Sequence, residues 1–255
     1  MLLAVDVGNT STEYGVFEKD RLVANWRLNT HRFQTADELG LITSLILHQR
    51  GLRPRVIDGM IIASVVPPVL PNLREMARTY FDLEPLVVGP GIKTGIPLRF
   101  DHPREIGADR ICNAVATIAK YGGPAIIVDF GTSTNFDAIS PSGEYLGGAI
   151  APGIRLSMEA LFGKASRLPQ VDLSRPPSVI GKNTVDSLRA GIFFGVFGQI
   201  KEIVTRMAEE ITGNPTVIAT GPYAELFTQE MDLIAHAEPH LTLQGLQLIF
   251  SYNQS

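Results

Sequence analysis

Cysteine is almost absent: Cys112 is the single one in 255 residues. That excludes an internal disulfide framework and any cysteine-based zinc site, and a reducing, intracellular setting is the simpler expectation. Long apolar runs are also missing. Leu2–Val5 is stopped by Asp6, and no charge-free stretch of membrane-spanning length follows, so neither a signal peptide nor a membrane span is expected. Of five histidines, one pair has helical spacing, His236 and His240, and Pro239 between them breaks the turn that would align them. Positive charge is scarce too. Through Val128 there are 14 basic against 13 acidic residues, and after it 8 against 13, which leaves no footprint for nucleic acid. With 45% hydrophobic and 19% charged residues, intrinsic disorder is excluded. The length suits one or two domains with a buried core.

What is present is an internal repeat. Val5-Asp6-Val7-Gly8-Asn9-Thr10-Ser11-Thr12 aligns without gaps on Val128-Asp129-Phe130-Gly131-Thr132-Ser133-Thr134-Asn135, an offset of 123 between Asp6 and Asp129. An apolar strand-like run precedes each copy, and alternating residues then a turn-rich tetrad follow it. Two β-hairpins therefore open two related α/β halves, with a boundary expected between residues 115 and 125. Divided at that point, the halves are residues 1–118 and 119–255.

Further periodic segments fill each half. In the first, 36–49 reads as a helix, 58–66 as a buried strand and 71–81 as a second helix. Residues 104–120 read as a helix joining the halves, reached through the glycine- and proline-rich stretch 87–102. In the second half, 184–212 reads as a long helix, 215–219 as a strand and 243–252 as a terminal helix. The aromatic run Phe193, Phe194 and Phe197 suits a buried helix face or a dimer contact, and Cys112 suits core packing.

A strand ending in Asp-x-Gly followed by small polar residues suits a phosphate loop. Glycine lets the backbone approach an anion, hydroxyls add donors, and the carboxylate calls for a cation. Two copies are expected to clasp one nucleotide, with Asp6 and Asp129 holding metal ions against its phosphates. Rival phosphate motifs fail: Gly181-Lys182-Asn183-Thr184 lacks the P-loop's upstream glycine, and 89–95 misses the dinucleotide spacing. Asp109, in the first turn of the joining helix, is placed to accept a proton from an alcohol, and Arg110 beside it to meet an acidic group on the substrate.

Asp6-Val7-Gly8-Asn9-Thr10, Gly107-Ala108-Asp109-Arg110, Asp129-Phe130-Gly131-Thr132, Gly147-Gly148 through Pro152-Gly153 and Gly181-Lys182-Asn183-Thr184, in this order, resemble type III pantothenate kinase over essentially the whole chain. The resemblance implies the fold of the acetate and sugar kinase, Hsp70 and actin superfamily: α/β, two duplicated ribonuclease H-like domains, each a mixed sheet flanked by helices, with the nucleotide cleft between them. It implies ATP-dependent phosphorylation of the primary hydroxyl of pantothenate, the first step of coenzyme A synthesis. The enzyme would be a cytoplasmic homodimer using magnesium and a monovalent cation, potassium or ammonium. Residue by residue, Asp6, Val7, Gly8, Asn9, Thr10, Ser11, Thr12, Glu13 and Thr132 would bind ATP, with Asp6 nearest the magnesium, and Asp129 would hold the monovalent cation. Asp109 would be the proton acceptor. Phe100, Gly107, Ala108, Asp109, Arg110 and Thr184 would line the pantothenate site at the dimer interface.

The chain departs from the family pattern at Ser133 and Asn135, both small and polar replacements, at Pro222 in the segment expected near adenosine, and at Phe100, where tyrosine is frequent. A same-fold kinase for another small alcohol and a non-catalytic regulatory paralogue are the competing readings. Both acidic loops and Asp109 argue against the second, because binding alone requires no base.

Overall fold

The loop after the first strand takes its shape from the strands that flank it. In the computed structural model, which describes residues 1–165 and 168–254, β1 (Leu2–Val7) and β2 (Ser11–Glu18) form an antiparallel hairpin, continued by β3 (Arg21–Asn29). Helix α1 (Ala36–Gln49) begins at a capping box. Thr35 Oγ1 accepts the Glu38 N–H at 3.2 Å, and Glu38 Oε2 accepts the Thr35 N–H at 2.7 Å. The chain then forms β4 (Gly59–Ser64), α2 (Leu70–Phe81), β5 (Leu86–Val87), a 3₁₀ turn at Pro103–Glu105 and α3 (Ala108–Tyr121). The sheet order is β3-β2-β1-β4-β5, with β1, β4 and β5 parallel.

A second sheet repeats this plan. Strands β6 (Ala125–Phe130), β7 (Ser133–Ile139) and β8 (Tyr145–Pro152) form the meander, followed by α4 (Ile154–Lys164), α5 (Thr184–Glu210), β9 (Thr216–Thr220), α6 (Ala224–Glu230), β10 (His236–Ala237) and α7 (Leu241–Tyr252). Its order, β10-β9-β6-β7-β8, read backwards matches the first sheet strand for strand, with β6, β9 and β10 parallel. The duplication expected from the 123-residue offset is present in topology. The expected hairpins are three-stranded meanders. The two-residue edge strands β5 and β10, and helices α4 and α6, were not visible as periodic segments.

The chain divides into two compact units. One comprises Met1–Pro97, Asp101–Lys120 and the chain from His240 onward; the other comprises Leu98–Phe100 and Tyr121–Pro239. This differs from a single division between residues 118 and 119, because the last helix belongs with the first sheet. The reason is steric and apolar. Leu3, Val5 and Val7 face one side of β1 and join Leu39, Leu47, Leu73 and Met76 of α1 and α2 in one core. Leu2 and Ala4 face the other side, paired with Gly59 and Gly15. Both glycines leave room for α7: a Cβ at Gly59 would lie 2.5 Å from the Phe250 ring, and one at Gly15 would lie 2.9 Å from Leu243. Gly245 brings α7 against α3, where a Cβ would lie 2.0 Å from the Cys112 carbonyl. In the second unit, Ile126, Val128 and Phe130 pack with Ile200, Val204 and Phe227.

Candidate active site

Asp6 is the penultimate residue of β1, pairs with Glu13 across the hairpin, and shares the sheet face of Ala4 and Leu2, the face α7 covers. The turn beyond it is tight. The Gly8 N–H donates to the Ser11 carbonyl at 3.0 Å, and a Cβ on Gly8 would itself lie 3.0 Å from that oxygen. Thr30 on the neighbouring segment clamps the loop. Its hydroxyl donates to the Gly8 carbonyl at 2.8 Å, its N–H donates to the Thr10 carbonyl at 3.0 Å, and its Oγ1 lies 2.9 Å from Thr12 Oγ1. Asn9 and Thr10 are exposed at the tip, whereas Val7 and Thr12 are buried, so those two offer a ligand only backbone. The Glu13 carboxylate is engaged within the unit, by Arg27 at 3.2 Å and by His240 Nδ1 at 3.2 Å. Sequence reading missed Thr30, which carries no motif of its own.

The second loop is the counterpart with one residue fewer. Val7 pairs with Thr12 across four intervening residues, while Phe130 pairs with Thr134 across three. The gapless alignment therefore holds through Gly8 and Gly131 and slips by one beyond them. The Gly131 N–H donates to the Ser133 carbonyl at 2.9 Å, and the Gly153 N–H, just past β8, donates to the Thr132 carbonyl at 3.1 Å. Gly153 is there for clearance, since a Cβ would lie 2.1 Å from that carbonyl. Asp129 is half-buried beside Gly131, and Thr132 is exposed at the tip. Gly221, at φ +85°, follows β9 against the Phe130 backbone.

Asp109 lies in the first turn of α3 with its side chain folded back on the helix start. Oδ1 accepts the Arg110 N–H at 2.8 Å, a contact of the kind that satisfies a free helix-terminal donor. Gly107 makes this possible, since a Cβ there would lie 2.4 Å from Asp109 Oδ1. Burial pushes the Asp109 carboxyl above the usual carboxylate range, opposed by the Arg110 N–H and the Arg110 charge. Cys112, one turn along, is fully buried, and its thiol is pushed up first by burial and then by the negative charges of Asp6 and Asp109. Both carboxylates thus act on the same sulfur. The end of β1 and the start of α3, distant in sequence, share one electrostatic neighbourhood.

The remaining expected residues fall as follows. Ala108 and Arg110 are buried in α3, Phe100 is half-buried in the second unit, and Thr184 is exposed at the start of α5. The Asn183 side chain caps that helix by accepting the Asp186 N–H at 2.9 Å. Gly181 allows the preceding turn to close, as a Cβ would lie 2.3 Å from Ser187 N. The glycine and the asparagine of Gly181-Lys182-Asn183-Thr184 therefore have a local structural reason. No helix among the described residues is long and apolar enough to cross a membrane.

A family model described as type III pantothenate kinase matches residues 2–206. The chain belongs to the type III pantothenate kinase family. It is 52% identical over 253 residues to the type III pantothenate kinase of Moorella thermoacetica, covering 99% of this chain and 100% of the relative. It is 48% identical over 255 residues to that of Myxococcus xanthus, covering all of both. Among solved structures, the activator of the 2-hydroxyisocaproyl-CoA dehydratase from Clostridium difficile is similar in fold, with TM-score 0.54 at 11% identity over 99% of this chain and 94% of that one. A protein described as a 2-dehydro-3-deoxygalactonokinase, from Sinorhizobium meliloti, is also similar in fold, with TM-score 0.59 at 14% identity over all of this chain and 96% of that one. The kinase phosphorylates pantothenate in coenzyme A biosynthesis, using ATP and a divalent metal.

Proposed function

We propose that Asp109 is the general base of this reaction, accepting the proton of the pantothenate hydroxyl as it attacks the γ-phosphorus of ATP. The observation that carries this reading is the Asp109 carboxylate itself: half-buried, aimed by the Arg110 N–H and cleared by Gly107, in the same neighbourhood as Asp6. A carboxylate whose pKa is raised is, when ionised, a stronger proton acceptor than an ordinary one. Arg110 supplies the charge that meets the substrate's carboxylate. Gly107, Ala108, Phe100 and Thr184 complete the pantothenate site.

The loop from Asp6 to Glu13 and the tip residue Thr132 contact ATP. Among the described residues, no group of three or more His, Cys, Asp and Glu side chains is placed to hold a metal. That suits magnesium, which takes one or two carboxylates and completes its shell with phosphate oxygens and water; Asp6 fits as such a ligand. Bound there, the ion neutralises phosphate charge. Asp129, half-buried beside a loop with carbonyls at hand, suits a larger monovalent cation, potassium or ammonium. Replacing potassium by sodium is expected to depress turnover in the wild type and not in Asp129→Asn.

A homodimer is supported by the second unit's surface. Val179, Ile180, Ile150 and Leu156 are exposed, near in sequence to an apolar cavity of about 360 Å³ between α4 and α5, lined by Ile154, Leu161, Leu188, Ile192 and Val196. The cytoplasm, where pantothenate and ATP meet and a lone thiol stays reduced, is the compartment that fits.

The experiment is pantothenate-dependent ADP release by wild type and Asp109→Asn. The variant is expected to fold and bind both substrates while kcat falls roughly 10²- to 10⁴-fold. Normal turnover by the variant would remove Asp109 from the role.

A further inference from the structure

Residues 98–100 belong with the second unit although the chain on either side belongs with the first. What captures them is Tyr145, the first residue of β8. Leu98 forms a parallel bridge with Tyr145, the Arg99 N–H donates to the Tyr145 carbonyl at 2.8 Å, and the Phe100 ring lies 6.3 Å from the Tyr145 ring at 55°. The Arg99 guanidinium pairs with Glu144 at 2.7 Å. Glu144 is in turn held by Ser142 Oγ at 3.1 Å and, through its own N–H, by Ser140 Oγ at 3.0 Å.

Tyr145 is itself immobilised. It is fully buried, and its hydroxyl donates at 2.7 Å to Oδ1 of Asp137, also fully buried, on the adjacent strand. Asp137 pairs with Ile127, two residues before Asp129 on the same strand face. A bulge at Leu146 separates the Ile139–Tyr145 pair from the Ala138–Gly147 pair, the kind of irregularity that re-aims side chains beside functional sites. Gly147 beyond the bulge, at φ +117°, presents bare backbone to Phe100, and a Cβ there would lie 3.4 Å from the ring. Phe100 is thus held between the Tyr145 ring and the Gly147 backbone.

We propose that Tyr145 is a positioning residue for substrate selection: anchored by Asp137, it fixes the 98–100 segment so that Phe100 forms a rigid wall of the pantothenate site. This rests on the reading of Phe100 as a pantothenate contact. A wall set by a buried hydroxyl–carboxylate pair keeps its place although the segment that carries it is loop, and misplacement of a positioning wall weakens one substrate selectively.

Two readouts separate the proposal from the reading beneath it. Hydrogen exchange on the full enzyme follows residues 98–102, which need no substrate. Tyr145→Leu is expected to accelerate exchange there at least about tenfold while β6 and β7 keep their protection. Steady-state kinetics then follow function. Tyr145→Leu is expected to raise the pantothenate KM about tenfold with the ATP KM within about twofold, and Tyr145→Phe, which keeps the ring but loses the hydroxyl that Asp137 holds, to fall between Tyr145→Leu and the wild type. Gly147→Ala puts a side chain on backbone at φ +117° beside Phe100 while keeping both side chains of the tyrosine–aspartate pair, and the resulting strain is expected to reproduce the pantothenate effect. A Tyr145→Leu, Phe100→Ala double variant is expected to be no worse than Phe100→Ala alone. Unchanged exchange at 98–102, or independent multiplication of the two substitutions, overturns the positioning role. Faster exchange with an unaltered pantothenate KM in every variant, Phe100→Ala included, overturns the assignment of Phe100 to the substrate and with it the selection role.

Discussion

In the proposed reaction Asp109 carries the heaviest chemical load of any single side chain, and its environment makes opposite demands on stability and activity. Its folded-state pKa is raised by burial, so the protonated form is the one the fold prefers. The stability this contributes is complete below the ordinary carboxylate pKa and is lost as pH rises through the raised folded value. Ionising the carboxylate is therefore a net cost to the fold, and Asp109→Asn is expected to melt at the same temperature or higher while losing turnover. Thermal unfolding at pH 7 checks this; a clear fall in Tm would mean the carboxylate is structural. Gly107→Ala tests the aim of the same group. The added methyl meets Oδ1 at 2.4 Å, so kcat is expected to fall about tenfold or more in a folded enzyme. At this scale the sequence was legible where a motif spells out chemistry. Asp6, Asp109 and Asp129 stand out by their glycine neighbours, while Thr30, which clamps the first loop with two hydrogen bonds, has no local signature because its partners lie 20 or more residues back.

At the scale of elements, periodicity located what was long and amphipathic. Helices α1 and α5 and strands β4 and β9 fall within a few residues of their expected spans. Strands β5 and β10 have two residues each, too few to show alternation, and α4 carries an open, weakly patterned surface. The terminal helix was found and its partner was not. An apolar stripe says that something must cover it, whereas the identity of the cover is written in Gly15, Gly59 and Gly245, whose missing Cβ atoms are informative only in three dimensions. Gly245→Ala is accordingly expected to push α7 off the Cys112 carbonyl and to cost about 1–3 kcal/mol by overpacking. Because Cys112 is one turn from Asp109, kcat is expected to fall with it; denaturant unfolding and steady-state kinetics on the same preparation check both. By contrast, Thr35→Ala, which removes the cap of α1, is expected to cost about 1 kcal/mol with unchanged kinetics.

For the molecule as a whole, duplication explains the economy of the design. One plan, a meander followed by parallel strands, places an Asp-x-Gly loop at the end of the first strand of each sheet. The second copy shortens its loop by a residue and closes it with Gly153 instead of a threonine clamp. Two like scaffolds thereby present unlike loops, which the proposed function assigns to magnesium with phosphate and to a monovalent cation. The repeat was legible because backbone geometry demands the same glycine twice; the one-residue slip was not, because small polar residues on both sides disguise it. If the apolar surface around α4 and α5 closes a homodimer, light scattering is expected to give twice the 27.7 kDa chain mass. Ile180→Glu is expected to run as the monomer with impaired pantothenate turnover; a fully active monomeric variant would separate assembly from the site.

The most direct test of the catalytic account is the pH dependence of kcat for pantothenate phosphorylation at saturating ATP, magnesium and potassium. With Asp109 as base, the rate rises with unit slope on the acid side through an apparent pKa displaced above the ordinary carboxylate value, and Asp109→Asn loses that limb along with most of the rate. An acid limb that persists unchanged in Asp109→Asn would contradict it.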